Sequence, residues 1–65
     1  MTHPDYEAGR NSAYMGHPEP GEWATLPFHL GWIDQMTATV RMTPRERRNA
    51  SEYRAEVVRA YRGNA

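Results

Sequence analysis

The sequence has no cysteine and no lysine, and it has only one phenylalanine and one isoleucine among its 65 residues. Because cysteine is absent, neither a disulfide nor a thiolate metal site can stabilise the fold. A chain of this length buries only about 60% of the surface that its unfolded form exposes. We therefore expect one small domain over residues 1–65, with apolar surface left for a second copy of the chain or for another partner.

Long apolar runs are also missing. No stretch reaches the roughly 20 apolar residues of a membrane helix, and none has the apolar core of a signal peptide, so we expect a cytoplasmic protein with no membrane partner. The formal net charge is zero, but the charges are unevenly placed. Residues 1–40 hold one arginine against five carboxylates, and residues 41–65 hold seven arginines against three. This asymmetry is typical of an anion-binding tail, and it also suits two halves that attract each other.

The apolar spacing and the helix-end signals predict three helices, at about residues 4–15, 25–40 and 43–62. Pro4 suits a first helical position and Gly16 suits a helix end. Pro18 and Pro20 block both helix and sheet in the segment that follows, which predicts a proline-rich loop. The expected fold is all-α, a small bundle of three short helices.

The second predicted helix carries the densest apolar group. Phe28, Trp32 and Met36 recur at every fourth residue, as on the buried face of an amphipathic helix. Gly31 lies among them, where glycine costs about 1 kcal/mol relative to alanine. This position favours a close backbone approach or a flat space beside an aromatic ring. We expect Trp23, Phe28, Gly31 and Trp32 to form either core or a partner-binding surface.

The third helix has the clearest start in the sequence. Thr43, Pro44 and Glu46 fit the N-cap, the first helical position and the N3 position of a capping box. The apolar residues that follow have the spacing of one helix face. This predicted inner stripe is Ala50, Tyr53, Val57, Val58 and Tyr61.

Arginines dominate the same helix. Three lie in its first turns, where the helix dipole disfavours each cation by about 0.3–1 kcal/mol. This placement indicates an external anion, either nucleic-acid phosphate or an acidic protein surface, with a solvated arginine face as the alternative. The candidate nucleic-acid-binding residues are Arg45, Arg47, Arg48, Arg54, Arg59 and Arg62.

Residues 8–16 (AGRNSAYMG), a proline-rich loop and then residues 28–32 (FHLGW) follow one another in an order that resembles the ribosome modulation factor family. In that family a helix with spaced Gly and Ala leads through a loop to a helix with an aromatic-x-x-Gly-Trp element. The resemblance covers residues 6–36 and implies a two-helix unit, with ribosomal RNA contact resting on the arginine-rich helix. The sequence departs from the family in lacking its Cys-Pro-Tyr loop and in having an acidic first half.

No catalytic motif stands out. His3, His17 and His29 have no metal-ligand spacing and are expected to be ordinary surface or half-buried side chains. Plasmid proteins in the same family neighbourhood are reported to modify ciprofloxacin, but neither a phosphate-cradling loop nor an acid–base pair supports that chemistry here. We therefore expect a non-enzymatic protein with no metal or cofactor.

Two hypotheses follow for its function. The first is translation regulation through RNA or ribosome binding by the third helix. The second is a protein-binding regulator or inhibitor of phage or accessory-element type, which docks on a host protein through Trp23, Trp32 or the acidic half. The salt dependence of binding distinguishes these two hypotheses, because contacts with phosphate release counterions.

Overall fold

The computed structural model describes residues 3–63, and within them the chain forms three α-helices and no strands. The helices are α1 (Pro4–Tyr14), α2 (Leu26–Thr39) and α3 (Pro44–Gly63). They take up 74% of the described residues, which confirms the all-α prediction. Each boundary lies within one residue of its predicted position.

Local signals set the ends of α1 and α2. The chain leaves α1 through Gly16, whose φ of 82° lies in the left-handed region that glycine adopts without strain. The Gly16 N–H donates to the carbonyl oxygen of Ala13 at 3.0 Å. At the start of α2, the Thr25 hydroxyl accepts a hydrogen bond from the backbone N–H of Phe28 at 3.4 Å. These contacts satisfy backbone groups that have no partner inside the helices.

α2 lies at the centre of the bundle. α1 packs against it along much of its length, whereas α3 packs against it more sparsely. In residues 3–63 no Cα atom of α1 comes within 8 Å of a Cα atom of α3. The two outer helices therefore meet only through α2 and through long side chains.

The crossing of α1 and α2 depends on one glycine in each helix. A Cβ atom built on Gly9 would overlap the carbonyl oxygen of Phe28, and one built on Gly31 would overlap the carbonyl oxygen of Tyr6. Both glycines are buried. The structure confirms the close backbone approach expected at Gly31, and it identifies the neighbour as the backbone of α1 rather than an aromatic ring.

The apolar core is small. Its buried members are Ala13, Ala24, Ile33 and Val57, and no large side chain in the described segment is completely buried. Within the predicted inner stripe of α3, Val57 is buried and Ala50, Val58 and Tyr61 are half-buried, while Tyr53 remains 38% exposed. None of the three helices combines the length and the apolar composition that crossing a membrane requires.

We expect the Gly31→Ala variant to be less stable than the wild-type protein. The new methyl group would meet the backbone oxygen of Tyr6, which cannot rotate away. The cost should therefore reach the upper part of the roughly 1–3 kcal/mol range for overpacking. That exceeds the gain of about 1 kcal/mol that alanine has over glycine inside a helix. Urea unfolding followed by far-UV circular dichroism measures the difference.

The matched control is Gly63→Ala, where the added Cβ meets no atom within 4 Å. This variant should unfold at the same urea concentration as the wild-type protein or at a slightly higher one. Equal stability of Gly31→Ala and the wild type would contradict the glycine-dependent crossing.

Candidate functional site

The capping box predicted at the start of α3 is present. The Thr43 hydroxyl accepts a hydrogen bond from the backbone N–H of Glu46 at 3.2 Å. In return, the Glu46 carboxylate accepts one from the backbone N–H of Thr43 at 3.2 Å. These two reciprocal hydrogen bonds fix the first turn of α3 and use one carboxylate oxygen of Glu46. Within residues 3–63 the structure shows no ion pair between this carboxylate and an arginine.

The predicted arginines of α3 divide into two sets. Arg54 is half-buried and forms an ion pair with Asp34 of α2. The other members are exposed, and within residues 3–63 the structure shows no ion pair for any of them. This exposed set is Arg45, Arg47, Arg48, Arg59 and Arg62. The helix thus turns one guanidinium inward and presents five to the solvent.

Asp34 connects all three helices. Arg54 of α3 donates two hydrogen bonds to its carboxylate, from Nε at 2.9 Å and from Nη2 at 3.3 Å. Tyr6 of α1 donates its hydroxyl hydrogen to the same carboxylate at 2.5 Å. The bidentate guanidinium geometry is the stronger form of this interaction. Asp34 is therefore the polar point through which α1 and α3 are joined across α2.

The cluster changes the acidity of its members. Partial burial acts to raise the pKa of Asp34, but the hydrogen bonds from Arg54 and then from Tyr6 act in the opposite sense and prevail. The pKa of Asp34 therefore lies below its ordinary value of 3.8. The hydrogen bond to Asp34, assisted by burial, raises the pKa of Tyr6. The same carboxylate raises the pKa of Arg54, so the pair stays charged at neutral pH.

We expect Asp34→Asn to lose about 1–2 kcal/mol of stability at pH 7, because charge-assisted hydrogen bonds contribute more than neutral ones. A fully buried ion pair would lose more. The Asp34 side chain is 29% exposed and the Arg54 side chain 42% exposed, so solvent screens the interaction between them. The folded-state pKa of Asp34 lies below its unfolded value, so the contribution is complete above the unfolded pKa. It is lost as the pH falls through the folded-state pKa.

Urea unfolding of both proteins from about pH 7 down to pH 2 tests this linkage. The wild-type advantage over Asp34→Asn should shrink towards the acid end of the series. Glu52→Gln is the control, because Glu52 is exposed and has no ion pair within residues 3–63. An advantage that persists unchanged to the lowest pH would show that the Asp34 charge does not stabilise the fold.

A second polar cluster surrounds His29. This residue is only 9% exposed, so the expectation of an ordinary surface or half-buried histidine was wrong. Its Nε2 atom lies 3.1 Å from the Glu19 carboxylate, and its Nδ1 atom lies 3.3 Å from the Tyr61 hydroxyl. The Tyr61 hydroxyl donates to the carbonyl oxygen of Ala24 at 3.1 Å. The Tyr61 hydroxyl therefore lies between two polar groups, the Ala24 carbonyl oxygen and His29 Nδ1.

The His29 cluster holds the proline-rich loop against the helices. Glu19 and Ala24 belong to the segment between α1 and α2, and Tyr61 belongs to α3. The loop has a further attachment, because the Trp32 indole N–H donates to the carbonyl oxygen of His17 at 3.1 Å. Sequence reasoning missed Glu19 and Tyr61 as partners of His29, since they lie 10 and 32 residues away from it.

Tyr61→Phe should lower the free energy of unfolding by about 1–3 kcal/mol, because it leaves two part-buried groups, Ala24 O and His29 Nδ1, without a partner. The control is Tyr53→Phe. The Tyr53 hydroxyl lies 3.5 Å from His29 Nε2, at the limit of a hydrogen bond, so its removal should change stability by about 0.5 kcal/mol or less. Thermal melting of the two variants side by side is the measurement. Equal effects would mean that the Tyr61 hydroxyl has no special role.

The four residues predicted as core or partner surface take different positions. Gly31 is buried at the helix crossing, while Phe28 and Trp32 are half-buried. Trp23 is 72% exposed, and its ring meets the edge of Phe28 with centroids 5.0 Å apart. A core role thus fits Gly31 best, and Trp23 is the member with most surface available for a partner.

The described residues contain no group of three or more His, Asp or Glu side chains placed to hold a metal ion. Comparison with known proteins assigns the chain to no family: no protein-family model matches it, and neither does any curated protein or solved structure. The similarity to the ribosome modulation factor family therefore rests on the residues quoted above and stays a prediction.

Proposed function

We propose that the protein is a non-enzymatic RNA-binding protein that contacts phosphate through the exposed arginines of α3. The observation that carries this proposal is the separation of the arginines into one engaged residue and five exposed ones. Arg54 is used within the fold, where it neutralises Asp34. The exposed set has no such use in residues 3–63, which leaves its charge available to an external anion.

The position of the first three exposed arginines adds to this argument. Arg45, Arg47 and Arg48 lie near the positive end of the α3 dipole, where each is disfavoured by about 0.3–1 kcal/mol. Glu46 is the one acidic residue in the first turn of α3, so it offsets only part of this positive charge. Phosphate bound at this end would remove the repulsion, and arginine recognises phosphate with two parallel hydrogen bonds.

The ribosome is the target that the family resemblance implies, which would place the protein in the cytoplasm as a regulator of translation. The resemblance covers the first two helices, whereas most of the positive charge of this chain lies on α3. We therefore propose that α1 and α2 act as the scaffold and that α3 makes the RNA contact. Arg54 is left out of the contact surface because of its pairing with Asp34.

Replacing Arg45, Arg47 and Arg48 together by Gln should weaken RNA binding across sequences. Each lost phosphate contact reduces the slope of log affinity against log salt by about 0.7–0.9, so the triple variant should flatten the slope by roughly 2–3. Filter binding of ribosomal RNA over a salt series measures both effects. The helix content should not fall, and the melting temperature should stay the same or rise slightly, because all three side chains are exposed and their charges oppose the helix dipole.

The triple Arg→Lys variant is the matched control. It keeps the charge and should keep the salt slope, while losing the bidentate contacts of the guanidinium group. A wild-type protein that binds no RNA at low salt would contradict the proposal, and so would an unchanged slope in the Gln variant. Capture of partners from cell lysate, with and without ribonuclease, then shows whether any partner is held through RNA.

A protein partner is the second candidate, and the exposure of Trp23 favours it. The ring is 72% exposed and packs in a T-shaped contact with Phe28, and exposed tryptophan side chains often anchor protein interfaces. Glu22 beside it is also exposed, so a basic partner surface would be the complement. A second copy of the chain has such a surface on α3, which would make the protein a homo-oligomer. Binding that survives ribonuclease would support this candidate over RNA.

A further inference from the structure

The C-terminal half of α2 and the N-terminal half of α3 enclose a groove of about 580 Å³. Arg41 and Arg47 line it, and both are exposed. Ile33, Met42 and Ala50 add apolar surface to a lining that also contains threonine and serine side chains. Arg54 lines it as well, in its ion pair with Asp34. The groove therefore combines two cations that have no ion pair within residues 3–63 with some apolar surface. Its volume lies within the roughly 300–1,000 Å³ range of sites that hold small molecules.

The charge of the groove is positive. Asp34 is its one acidic residue, and that carboxylate already receives two hydrogen bonds from Arg54 and one from Tyr6. Arg41 and Arg47 have no ion pair within residues 3–63. Two positive charges are thus left uncompensated in a concave site, where low-dielectric walls focus the field on an incoming anion.

We propose that this groove binds one segment of a single RNA strand, with phosphate at Arg41 and Arg47 and a base against the apolar residues of the lining. The inference rests on the proposed RNA-binding function and names the form of RNA that the site accepts. Bases of a single strand are free to leave the stack and contact an apolar surface, whereas bases inside a duplex are not. A groove of this volume receives an extruded nucleotide and cannot enclose a double helix.

The groove also adds a residue to the surface predicted from the sequence. Arg41 precedes α3 and is absent from the predicted set, which took only arginines within the helix. The structure brings it to the same groove as Arg47, because the chain turns between the end of α2 at Thr39 and the start of α3 at Pro44. Arg59 and Arg62, near the other end of α3, do not line the groove.

Paired charge substitutions test the location of the site. The probe is a fluorescein-labelled single-stranded oligouridylate, and its anisotropy is followed over a salt series with the full-length protein. Arg41→Gln with Arg47→Gln should weaken binding at low salt on the order of tenfold and flatten the salt slope by about 1.4, which is two single-strand contacts. Arg59→Gln with Arg62→Gln removes the same charge from the part of α3 outside the groove, so it should weaken binding less than the groove pair does.

A second pair of variants fills space without changing charge. Ala38 is exposed and lines the groove, while Ala55 is exposed on α3 and does not. Ala38→Trp should reduce oligouridylate binding, and Ala55→Trp should leave it unchanged. Circular dichroism shows whether each variant is folded. The charge pair keeps the proposal testable if Ala38→Trp does not fold, because Arg41 and Arg47 are exposed.

The outcomes separate the groove from the broader function. A wild-type protein that binds no RNA at low salt overturns both. Equal loss in the two arginine pairs leaves RNA binding by α3 standing and overturns the groove. The groove is also overturned if a blunt RNA duplex binds as tightly as the single strand. The RNA assignment of the groove is likewise overturned if an acidic peptide such as polyglutamate displaces the RNA strand and binds more tightly than the RNA. That result would assign the groove to a protein partner.

Discussion

The contact of backbone with backbone at Gly9 and Gly31 is the constraint on which the remaining structure depends. A chain with few branched aliphatic residues cannot separate its helices with bulky side chains and still exclude water. Here α1 and α2 instead touch directly, and this short separation brings polar side chains within reach of each other. Tyr6 meets Asp34, and Arg10 donates to the amide oxygen of Gln35 at 3.1 Å and 3.3 Å. The polar contacts are thus a consequence of the glycine crossing.

Polar side chains attach α3 to the rest of the fold at two places. Arg54 reaches Asp34 at one place, and Tyr61 reaches His29 and the loop at another. These two attachments set the rotation of α3 about its own axis. Because that rotation is set, the remaining arginines of α3 must face outward or into the groove beside α2. The residues that stabilise the fold and those proposed to bind RNA are therefore different members of one helix.

Signals that act within four residues could be read from the sequence. The capping box of Thr43 and Glu46 and the need for a small residue at Gly31 were predicted, because each depends on local geometry. The partners of those positions could not be predicted, since they depend on how the helices cross. His29 shows this most clearly. No pattern near it indicates that Glu19 and Tyr61 enclose its ring.

The candidate site was predicted to a similar extent. The distribution of charge along the sequence identified α3 as the basic helix, but it could not distinguish one predicted arginine from another. Arg54 differs from the others only because Asp34 lies opposite it, 20 residues earlier in the chain. Arg41 joins the groove only because of the turn before Pro44. Composition can therefore indicate a basic surface, but the fold decides which guanidinium groups remain available on it.

The sparse packing of α3 has a consequence for the motions of the chain. A helix held by few apolar contacts opens at lower free energy than the rest of a domain, and its amide hydrogens exchange with solvent during that local opening. α1 and α2, joined along their backbones, form the more cooperative unit. Local opening of α3 should therefore require less free energy than opening of α1 and α2. The helix proposed to contact RNA would then be the part of the fold that adjusts to an irregular surface at least cost.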